Sequence, residues 1–579
     1  MKRIYLIIAL IICSASVYAQ LDSIQHLNEV LILDTKLEDY SEGFELTQIS
    51  DTLIERNSVS LTEVLNFNST IYFKENGYGM VSSPSFRGTN ASQTAVIWNG
   101  ISINSNLNGQ TDFNTISPSS FNTIIIRSGG GSTQYGSGAV GGSIHLNNTI
   151  DFQSKQSTEL KLSYGSFSTI AGVFKTKFSS NKKYIDLEID FISSENDYEY
   201  IGLNQKNENG NFDKINVSAN AGFNFEKSTL SWNANYFLGN RNFSGTITSA
   251  SNNSYKDVTT RNLVTWKKRS NKWNNIVKGA HIFERYRYYP NPESQLYSEG
   301  KSTTYLGDYQ LEYKINKDLK VSSILNYTYI KSEGSNIGYK DRNTIAAILL
   351  WKHHVTQKLS YGINLRQEFL NDFDNPFLAS FDVKYATNNW YSLKANASKN
   401  YRVPTFNDLY WNSSGNENLI PETSYQVEIS NEFIWNQFQF NINGFYIDSK
   451  NLISWRPNVT GLWQPINIAS TTNYGLEFSS EFSEKINLHF FNLTINYSYT
   501  KAINNEKDKQ LIYVPYHKAT GAFNYNYKKL TAYYQLLING EVFTTTDNNE
   551  VLDGYSISNL GLEYLIHEKS IPIKIGIKF

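Results

Sequence analysis

The sequence predicts an all-β protein in which one long membrane-spanning barrel follows a small glycine-rich N-terminal domain. Residues 155–579 repeat one texture, in which apolar and polar residues alternate along segments of about ten residues. Aromatic residues make up 14% of the chain, a surplus expected of two aromatic girdles at the membrane interfaces. Beyond residue 12 no apolar run reaches the ~18 residues of a spanning helix, so a membrane crossing would have to use strands.

The alternation is regular enough to distinguish an ensemble of barrel strands from isolated strands of a soluble sheet. Period-two segments run through residues 185–191, 230–236, 437–442 and 491–497. The mean hydropathy of −0.43 and the net charge of −1 fit a polar lumen and long polar loops. The same near-neutral charge, without a basic stripe, argues against nucleic acid as a partner.

The N-terminus has the composition of a secretory signal peptide, which we predict to cover residues 1–19. Lys2 and Arg3 precede the apolar run of residues 4–12, and residues 17–19 (VYA) offer small residues at the two positions read by a signal peptidase. Cys13 is the only cysteine and raises the alternative of a lipoprotein, but the two isoleucines before it do not suit that processing. A mature chain starting at Gln20 would hold no cysteine and no disulfide.

Residues 47–150 form the predicted small α+β domain. Thr94 to Trp98 is a predicted strand, Asn99 and Gly100 a tight turn, and Phe121 to Arg127 a second strand followed by seven glycines up to residue 142. Ser60 and Glu63 have the spacing of a capping box, in which Ser60 accepts from the backbone and Glu63 reaches back.

Three segments of this domain resemble the plug of TonB-dependent outer-membrane receptors. They are residues 87–90 (RGTN), 98–101 (WNGI) and 134–144 (QYGSGAVGGSI). Residues 128–130 (SGG) replace the Gly-Pro that the family usually has after Arg127. Two barrel segments, residues 401–406 (YRVPTF) and 416–422 (NENLIPE), resemble further boxes of the family. The opening RGTNAS at residues 87–92 and the modest barrel are similar to those of cobalamin (vitamin B12) receptors.

The resemblance implies an outer-membrane barrel of about 22 antiparallel strands closed by the plug, with roughly 19 residues for each strand and its connection. The expected domains are the signal peptide (1–19), a coupling segment and linker (20–46), the plug (47–150) and the barrel (155–579). The resemblance also implies a TonB box, an extended peptide that adds a strand to the periplasmic energy-coupling protein. We assign it to Glu29, Val30, Leu31, Ile32 and Leu33.

The expected activity is TonB-dependent uptake of a scarce large ligand, without bond chemistry. Ligand contacts are expected in two apical plug loops that should face outward. They are Asn76, Tyr78, Gly79, Asn104, Ser105, Asn106, Asn108 and Gln110. Arg87 and Arg127 are expected to hold the plug to the barrel through carboxylates on the inner wall.

No cofactor or metal site is expected, apart from candidate structural calcium in an external loop at Glu195, Asp197 and Glu199. Besides the TonB-type protein, the expected partners are outer-membrane lipids, a surface lipoprotein, and the barrel-assembly machinery. The alternating residues 571–579, which end at Phe579, resemble the signal that this machinery reads.

Cobalamin or a related corrinoid is the first choice of ligand, because loops rich in Asn, Ser and Gln suit a neutral, amide-decorated molecule. A ferric siderophore is the alternative. Haem is disfavoured because residues 407–415, between the two barrel boxes, hold no histidine. A passive pore or adhesin is the rival from another class, and a soluble β-rich enzyme is a weaker third.

Overall fold

The computed structural model describes residues 34–57, 59–247, 249–468, 470–567 and 571–579, so the predicted signal peptide and TonB box lie outside the described residues. No helix in these ranges is long and apolar enough to cross a membrane. The described helices are α1 (Thr35–Asp39), α2 (Asp51–Arg56), α3 (Leu61–Asn68), α4 (Ser132–Tyr135) and α5 (Phe406–Tyr410). Short 3₁₀ turns cover Ala91–Gln93, Phe113–Thr115, Pro118–Ser120 and Pro292–Ser294.

The plug contains seven strands around one apolar core. They are β1 (Leu46–Ile49), β2 (Tyr72–Glu75), β3 (Ser82–Ser85), β4 (Thr94–Trp98), β5 (Ile101–Ser102), β6 (Thr123–Ser128) and β7 (Gly142–Asn147). Five form a sheet in the order β1-β6-β7-β4-β5, in which only β4 and β7 run parallel, and β2 and β3 form a separate hairpin. Asn99 and Gly100 both have positive φ and turn β4 into β5, as their residue types predict.

Helix α3 begins at the predicted cap, but only half of the capping box forms. The Ser60 hydroxyl accepts from the Glu63 backbone N–H at 3.2 Å. The Glu63 carboxylate does not reach back; it accepts instead from Lys578 of the barrel at 2.8 Å. The ion pair with Lys578, which is distant in sequence, therefore replaces the capping bond that the local pattern predicts for Glu63.

The remaining strands build the barrel and its outer hairpins. They are β8 (Lys155–Gly165), β9 (Thr169–Ser179), β10 (Lys183–Ser194), β11 (Phe212–Asn224), β12 (Ser228–Asn242), β13 (Gly245–Thr246), β14 (Ser249–Ala250), β15 (Ser254–Arg269), β16 (Trp273–Tyr289), β17 (Ser298–Lys314), β18 (Leu319–Gly334), β19 (Gly338–His354), β20 (Leu359–Leu370), β21 (Phe377–Ala386), β22 (Tyr391–Arg402), β23 (Glu422–Trp435), β24 (Phe438–Lys450), β25 (Leu452–Pro457), β26 (Trp463–Ile468), β27 (Thr471–Ile486), β28 (His489–Asn504), β29 (Lys509–Gln510), β30 (His517–Tyr527), β31 (Leu530–Asn539), β32 (Val542–Phe543), β33 (Val551–Leu552), β34 (Tyr555–His567) and β35 (Pro572–Lys578).

These strands form one ring of 22 strands in which β35 comes round to β8, and this confirms the predicted all-β barrel with its plug. Hairpins β13-β14, β25-β26 and β32-β33 stand outside the ring. Along β12, Leu230, Trp232 and Tyr236 are exposed toward the lipid side, while Ser231 and Asn233 between them are buried against the plug side. The alternation in the sequence is thus the alternation between membrane and lumen.

The two ends of the barrel differ in the length of their connections. At one end, connections such as residues 225–227, 315–318 and 487–488 hold two to four residues. The opposite end carries long connections such as residues 195–211 and 403–421. Because outer-membrane barrels have short periplasmic turns and long external loops, the second end faces outward.

Candidate functional site

The first apical loop joins β2 to β3 and points toward the outer end. Gly77 and Gly79 both have positive φ, and a Cβ at Gly79 would lie 2.5 Å from the ring of Phe212 on β11, so the loop needs glycine there. The Tyr78 carbonyl accepts from Asn196 at 3.0 Å, which leaves the Tyr78 side chain 42% exposed. Asn76 is also exposed. This loop therefore leaves two predicted contact residues exposed, and Tyr78 lines the cavity beside the plug together with Glu63.

In the second apical loop, residues 104–110, most polar side chains form hydrogen bonds within the protein. The Asn104 amide donates to the carbonyls of Thr94 and Gly109, and its oxygen accepts from the Val96 N–H at 2.8 Å. The Ser105 hydroxyl donates to Glu284 of β16 at 2.8 Å, and the Asn106 amide donates to Thr304 of β17 at 2.9 Å. Asn104, Ser105 and Asn106 are thus engaged within the protein.

Asn108 and Gln110 remain the more open side chains of that loop, since Asn108 is exposed and Gln110 is partly exposed. Gln110 also accepts from Ser83 of β3 at 3.4 Å, and Asp112 accepts from the Ser82 N–H at 3.2 Å. These bonds bring the two apical loops side by side. The structure therefore brings together, at the outer end of the plug, the two loops that carry Asn76, Tyr78, Asn108 and Gln110.

An external loop of the barrel, residues 403–421, covers the second apical loop. Backbone N–H groups of Phe406 and Asn407 donate to the carbonyls of Asn106 and Leu107, and the Phe406 ring packs with Leu107 in a small apolar cluster. Helix α5 in this loop has its own capping box between Thr405 and Asp408. This covering loop was not predicted from the sequence, where its signal was the TFND cap directly after the YRVP box.

The two barrel boxes meet at the base of this covering loop. Arg402 from the first box forms an ion pair with Glu422 from the second at 2.5 Å, and it lies 3.5 Å from Asp408. Glu422 also accepts from Gln93 of the plug at 2.8 Å. All four side chains are buried. The boxes therefore place a charge cluster where the plug, the barrel and the covering loop come together.

Arg87 lies at the plug surface against the inner barrel wall. Its guanidinium is 2.7 Å from Glu428 of β23 and 2.6 Å from Glu477 of β27, and it lies over the Phe445 ring. Burial alone would lower the pKa of Arg87, but the two carboxylates raise it above its ordinary value. The neighbouring Gly88 has positive φ, and a Cβ there would come within 2.6 Å of Ala502. The plug backbone thus approaches the barrel wall very closely at this point.

Arg127 does not make the predicted kind of contact, and this is a correction. Its guanidinium donates to the Ser41 hydroxyl at 3.3 Å and to the carbonyls of Gly129 and Gly130 at 3.2 Å, and it stacks on Phe44. These partners belong to the plug and to the linker before it, and none of them is a carboxylate of the barrel. The SGG sequence after Arg127 supplies the two carbonyls, so this arginine organises the turn rather than reaching a carboxylate of the wall.

Asp34 is the first described residue after the predicted TonB box, and it is buried in the plug. Its carboxylate accepts from the Tyr135 hydroxyl at 2.9 Å and lies 3.5 Å from Nδ1 of His145 on β7. Burial alone would raise the pKa of Asp34, but His145, Lys278 and Lys36 hold it below its ordinary value. Burial lowers the pKa of His145, so this ring is neutral near pH 7. Asp34 is thereby attached to α4 and β7.

The acidic external loop carries one exposed ion pair, in which Lys206 lies 3.6 Å from Asp197. Among the residues that the structure describes, no group of three His, Cys, Asp or Glu side chains is arranged to hold a metal ion. Calcium binding by Glu195, Asp197 and Glu199 stays a prediction.

Two family descriptions match this chain. The description "TonB dependent receptor-like, beta-barrel" matches residues 171–574, and "TonB-dependent Receptor Plug Domain" matches residues 42–143. Among solved structures, the chain is similar to "Copper transporter OprC", with a TM-score of 0.75, 14% identity and coverage of 90% of this chain and 89% of the other. It is also similar to the siderophore receptor PirA from Acinetobacter baumannii, with a TM-score of 0.74, 13% identity and coverage of 94% of each chain.

Curated relatives are similar at the sequence level across most of the chain. A protein of Photobacterium profundum named "Vitamin B12 transporter BtuB" is 23% identical over 538 residues, which is 88% of this chain and 83% of the relative. A protein of the same name from Vibrio vulnificus is 23% identical over 490 residues, 80% of this chain and 77% of the relative. Since the barrel description alone matches well over half of the sequence, the chain belongs to the family of TonB-dependent receptors of the outer membrane.

Proposed function

We propose that this receptor takes up cobalamin or a related corrinoid across the outer membrane, driven by a TonB-type protein. The observation that carries the proposal is the similarity to two proteins named as vitamin B12 transporters over at least 80% of the chain. The open apical side chains support it, because Asn76, Tyr78, Asn108 and Gln110 are uncharged and offer amide and hydroxyl groups. A corrinoid decorated with amides can pair with such groups without burying a charge.

In this proposal the ligand enters between the external loops and contacts the exposed part of the two apical loops. Gly79 supplies the backbone conformation that holds Tyr78 outward. Asn104, Ser105 and Asn106 act indirectly. Asn104 holds the second loop to β4, and Ser105 and Asn106 hold it against β16 and β17. A ligand that changes the second loop would thereby act on the plug–barrel contact below it.

Coupling to the energised partner would act at the other end of the plug. Glu29, Val30, Leu31, Ile32 and Leu33 are proposed to pair with the TonB-type protein as an added strand. Because Asp34 follows directly and is bonded to Tyr135, a pull on the segment would load α4 and β7 first. Strand β7 lies in the centre of the plug sheet, so this load reaches the part of the plug that must move.

A ferric siderophore is the alternative ligand, favoured by solved neighbours with that specificity, such as the siderophore receptor PirA. At this low identity the structural similarity supports the fold only. The choice between a corrinoid and a siderophore therefore needs a binding measurement. The first experiment is calorimetry of the purified protein with cyanocobalamin, beside a panel of ferric siderophores. Saturable binding of cyanocobalamin would support the proposal. Saturable binding of one siderophore instead would assign the receptor to iron uptake.

Two variants sharpen the binding test. Asn108→Ala removes an exposed apical amide and is expected to weaken binding of the bound ligand about five- to tenfold, the effect of one lost hydrogen bond. The matched control is Asn181→Ala, an exposed asparagine in a periplasmic turn, which should leave affinity unchanged. Equal effects of the two substitutions would argue against a ligand at the apical loops.

The active-transport part of the proposal is tested by deleting residues 20–33. We expect uptake by cells to be lost while binding to purified protein is retained. A passive pore or an adhesin predicts that the deletion changes neither. The same proposal keeps a surface lipoprotein, external calcium and recognition by the barrel-assembly machinery as further expectations, each open to pull-down or titration.

A further inference from the structure

The lipid side of the barrel carries a cluster of cations at the outer ends of β15 to β18. On β17, exposed Tyr305 and Tyr309 have odd numbers and buried Asp308 has an even one, so odd-numbered side chains face the lipid. By the same alternation, even-numbered side chains face the lipid on β15, and odd-numbered ones on β16 and β18. The cations on this side are Lys256, Arg285, Arg287, Lys301 and Lys331, and we call them the basic patch.

The basic patch lies directly outside an aromatic row on the same side. His281 of β16, Tyr305 of β17 and Tyr329 of β18 stand opposite one another in register, with ring centroids 5.2 Å and 6.4 Å apart. Closer to the periplasm, this side carries exposed apolar side chains such as Val277 and Leu325. Since aromatic girdles mark the edges of the apolar band, the basic patch lies at the level of the outer lipid headgroups.

Two cations of the basic patch have a carboxylate partner. Arg287 donates to the Glu299 carboxylate at 2.6 Å. Lys301 lies 3.0 Å from Glu333, and both side chains are about half exposed, so this pair can exchange partners at little cost. Within the described ranges no carboxylate forms an ion pair with the other cations, which are Lys256, Arg285 and Lys331. The basic patch therefore has an excess of positive charge.

Arg285 is the cation with the least favourable surroundings. It stands directly opposite Lys301 on β17 and Val258 on β15, so one cross-strand neighbour has the same charge and the other is apolar. Like charges directly opposite each other destabilise a sheet. The Nε atom of Arg285 is buried and makes no hydrogen bond to any described residue. An anion between Arg285 and Lys301, the central pair, would relieve the repulsion and accept the missing bond.

Lys256 and Lys331 flank the central pair as diagonal cross-strand neighbours. The Lys256 ammonium lies 5.2 Å from the centre of the Tyr289 ring, and that of Lys331 lies 5.3 Å from the centre of the Tyr339 ring. Asp341 stands opposite Lys331 in register without forming an ion pair with it. Diagonal neighbours lie within reach of long side chains, so both lysines can turn toward an anion at the central pair.

We propose that the basic patch binds the phosphate headgroup of a lipid in the outer leaflet, with a phosphate group between Arg285 and Lys301. A guanidinium donates two parallel hydrogen bonds to a phosphate, and a lysine adds a compact positive charge. The acyl chains would run along the apolar side chains below the aromatic row, such as Val277 and Leu325. A free phosphate ion fits less well, because it gains none of this apolar contact.

The proposed lipid site lies behind the wall that holds the second apical loop. Glu284, the residue before Arg285, faces the lumen and accepts from the Ser105 hydroxyl at 2.8 Å and from the Asn106 N–H at 3.3 Å. A headgroup outside and the loop inside therefore hold the same stretch of β16. The lipid thereby stabilises the wall to which the loop is attached.

The test is native mass spectrometry of the purified, delipidated chain with dioleoyl phosphatidic acid, and with zwitterionic dioleoyl phosphatidylcholine as the reference. Arg285→Gln with Lys301→Gln neutralises the central pair. We expect about thirtyfold weaker binding of phosphatidic acid, the effect of removing two basic residues from an anionic membrane surface. Heat-modifiable migration verifies that each barrel is folded.

The matched control is Lys450→Gln with Lys501→Gln, which neutralises two lipid-side lysines at the outer ends of β24 and β28. It should bind phosphatidic acid as tightly as the natural chain does. Inorganic phosphate, added at the concentration of phosphatidic acid that half-saturates the barrel, should not displace the lipid. Equal weakening by the two double variants, equal affinity for the two lipids, or displacement by inorganic phosphate would each overturn the proposal.

Discussion

The plug contacts the barrel through two faces whose ion pairs differ in burial. The face toward β22, β23 and β27 carries buried charges: Arg87 lies between Glu428 and Glu477, and Gln93 bonds to Glu422. The face toward β8 and β35 carries half-exposed lysines beside a cavity of about 1980 Å³, where Lys574 pairs with Glu55. We call them the anchored face and the loose face.

The difference between the faces indicates where plug movement can begin. A buried charge that loses its partner remains desolvated, whereas an exposed charge that loses its partner returns to water. Moving the plug off the anchored face would leave two buried glutamates without their cation at once. On the loose face, Glu63 is the buried carboxylate that would lose its lysine, Lys578, whereas the Lys574–Glu55 pair would return to water. We therefore expect motion in transport to start at the loose face and to pivot about Arg87.

The largest expected effect comes from removing the central cation of the anchored face. Arg87→Ala leaves Glu428 and Glu477 buried without a cation, with only neutral donors such as Gln426 and Asn443 still bonded to them. Breaking a buried ion pair costs about 3–5 kcal/mol. We expect the plug to become sensitive to protease and to unfold at lower denaturant concentration, while the barrel keeps its heat-modifiable migration. If the plug of the Arg87→Ala variant is as stable as that of the natural protein, the buried charges do not distinguish the anchored face from the loose face.

A smaller loss is expected from the neutral partner on the same face. Gln93→Leu removes the hydrogen bond to Glu422 and the bond that the Gln93 side-chain oxygen accepts from the Asn90 N–H. A hydrogen bond to a charged group contributes about 1.5–3 kcal/mol, and a neutral one about 0.5–1.5 kcal/mol. Denaturant titration of the plug measures the change. Gln110→Leu is the matched control, because that side chain makes only a long contact with Ser83 at 3.4 Å within the described plug. If Gln110→Leu lowers the free energy of unfolding as much as Gln93→Leu does, the bond to Glu422 has no special role in stability.

A pH effect is expected at Glu75 in the β2-β3 hairpin of the plug. Burial raises the pKa of Glu75 to about 7, and Asn114 donates to its carboxylate at 3.0 Å. Because the folded pKa lies above the unfolded value of about 4.3, this group stabilises the fold fully below pH ~4 and loses that contribution as pH rises through ~7. We expect hydrogen exchange of the β2-β3 hairpin to quicken between about pH 5 and 8.

Glu75→Gln is the decisive variant for that pH effect. A neutral amide cannot titrate, so opening of the hairpin should become independent of pH apart from the intrinsic exchange rate. Asp197→Asn, in the exposed external loop, is the control and should keep the natural pH profile. Retention of the full profile by Glu75→Gln would assign the titration to another group.

Much of the architecture could be predicted because it is encoded locally. The alternation at residues 230–236 predicts β12 with the correct lipid-facing side chains, and Asn99 with Gly100 predicts the turn between β4 and β5. Such features depend on periodicity and on backbone conformations that few residues adopt. Neighbouring residues supply all the information that they need.

The functional contacts could be predicted less well because they join distant parts of the chain. Arg87 was a candidate from its position in the RGTN segment, but its partners Glu428 and Glu477 come from separate strands whose register no local pattern gives. From the sequence, Asn104 and Asn106 were predicted to be free loop amides. In the structure Asn104 donates to backbone carbonyls and Asn106 donates to Thr304. Glu63 was assigned to a helix cap and pairs with Lys578 instead.

The smallest effect is expected on the loose face, and it is the sharpest check of the comparison. Lys574→Ala removes an ion pair with Glu55 in which both side chains are about half exposed, and such pairs contribute about 0–1 kcal/mol. A double-mutant cycle with Glu55→Ala isolates the pair itself. A coupling above about 2 kcal/mol would mean that this pair holds the loose face as strongly as a desolvated ion pair does. The pivot about Arg87 would then have no free side toward which the plug could move.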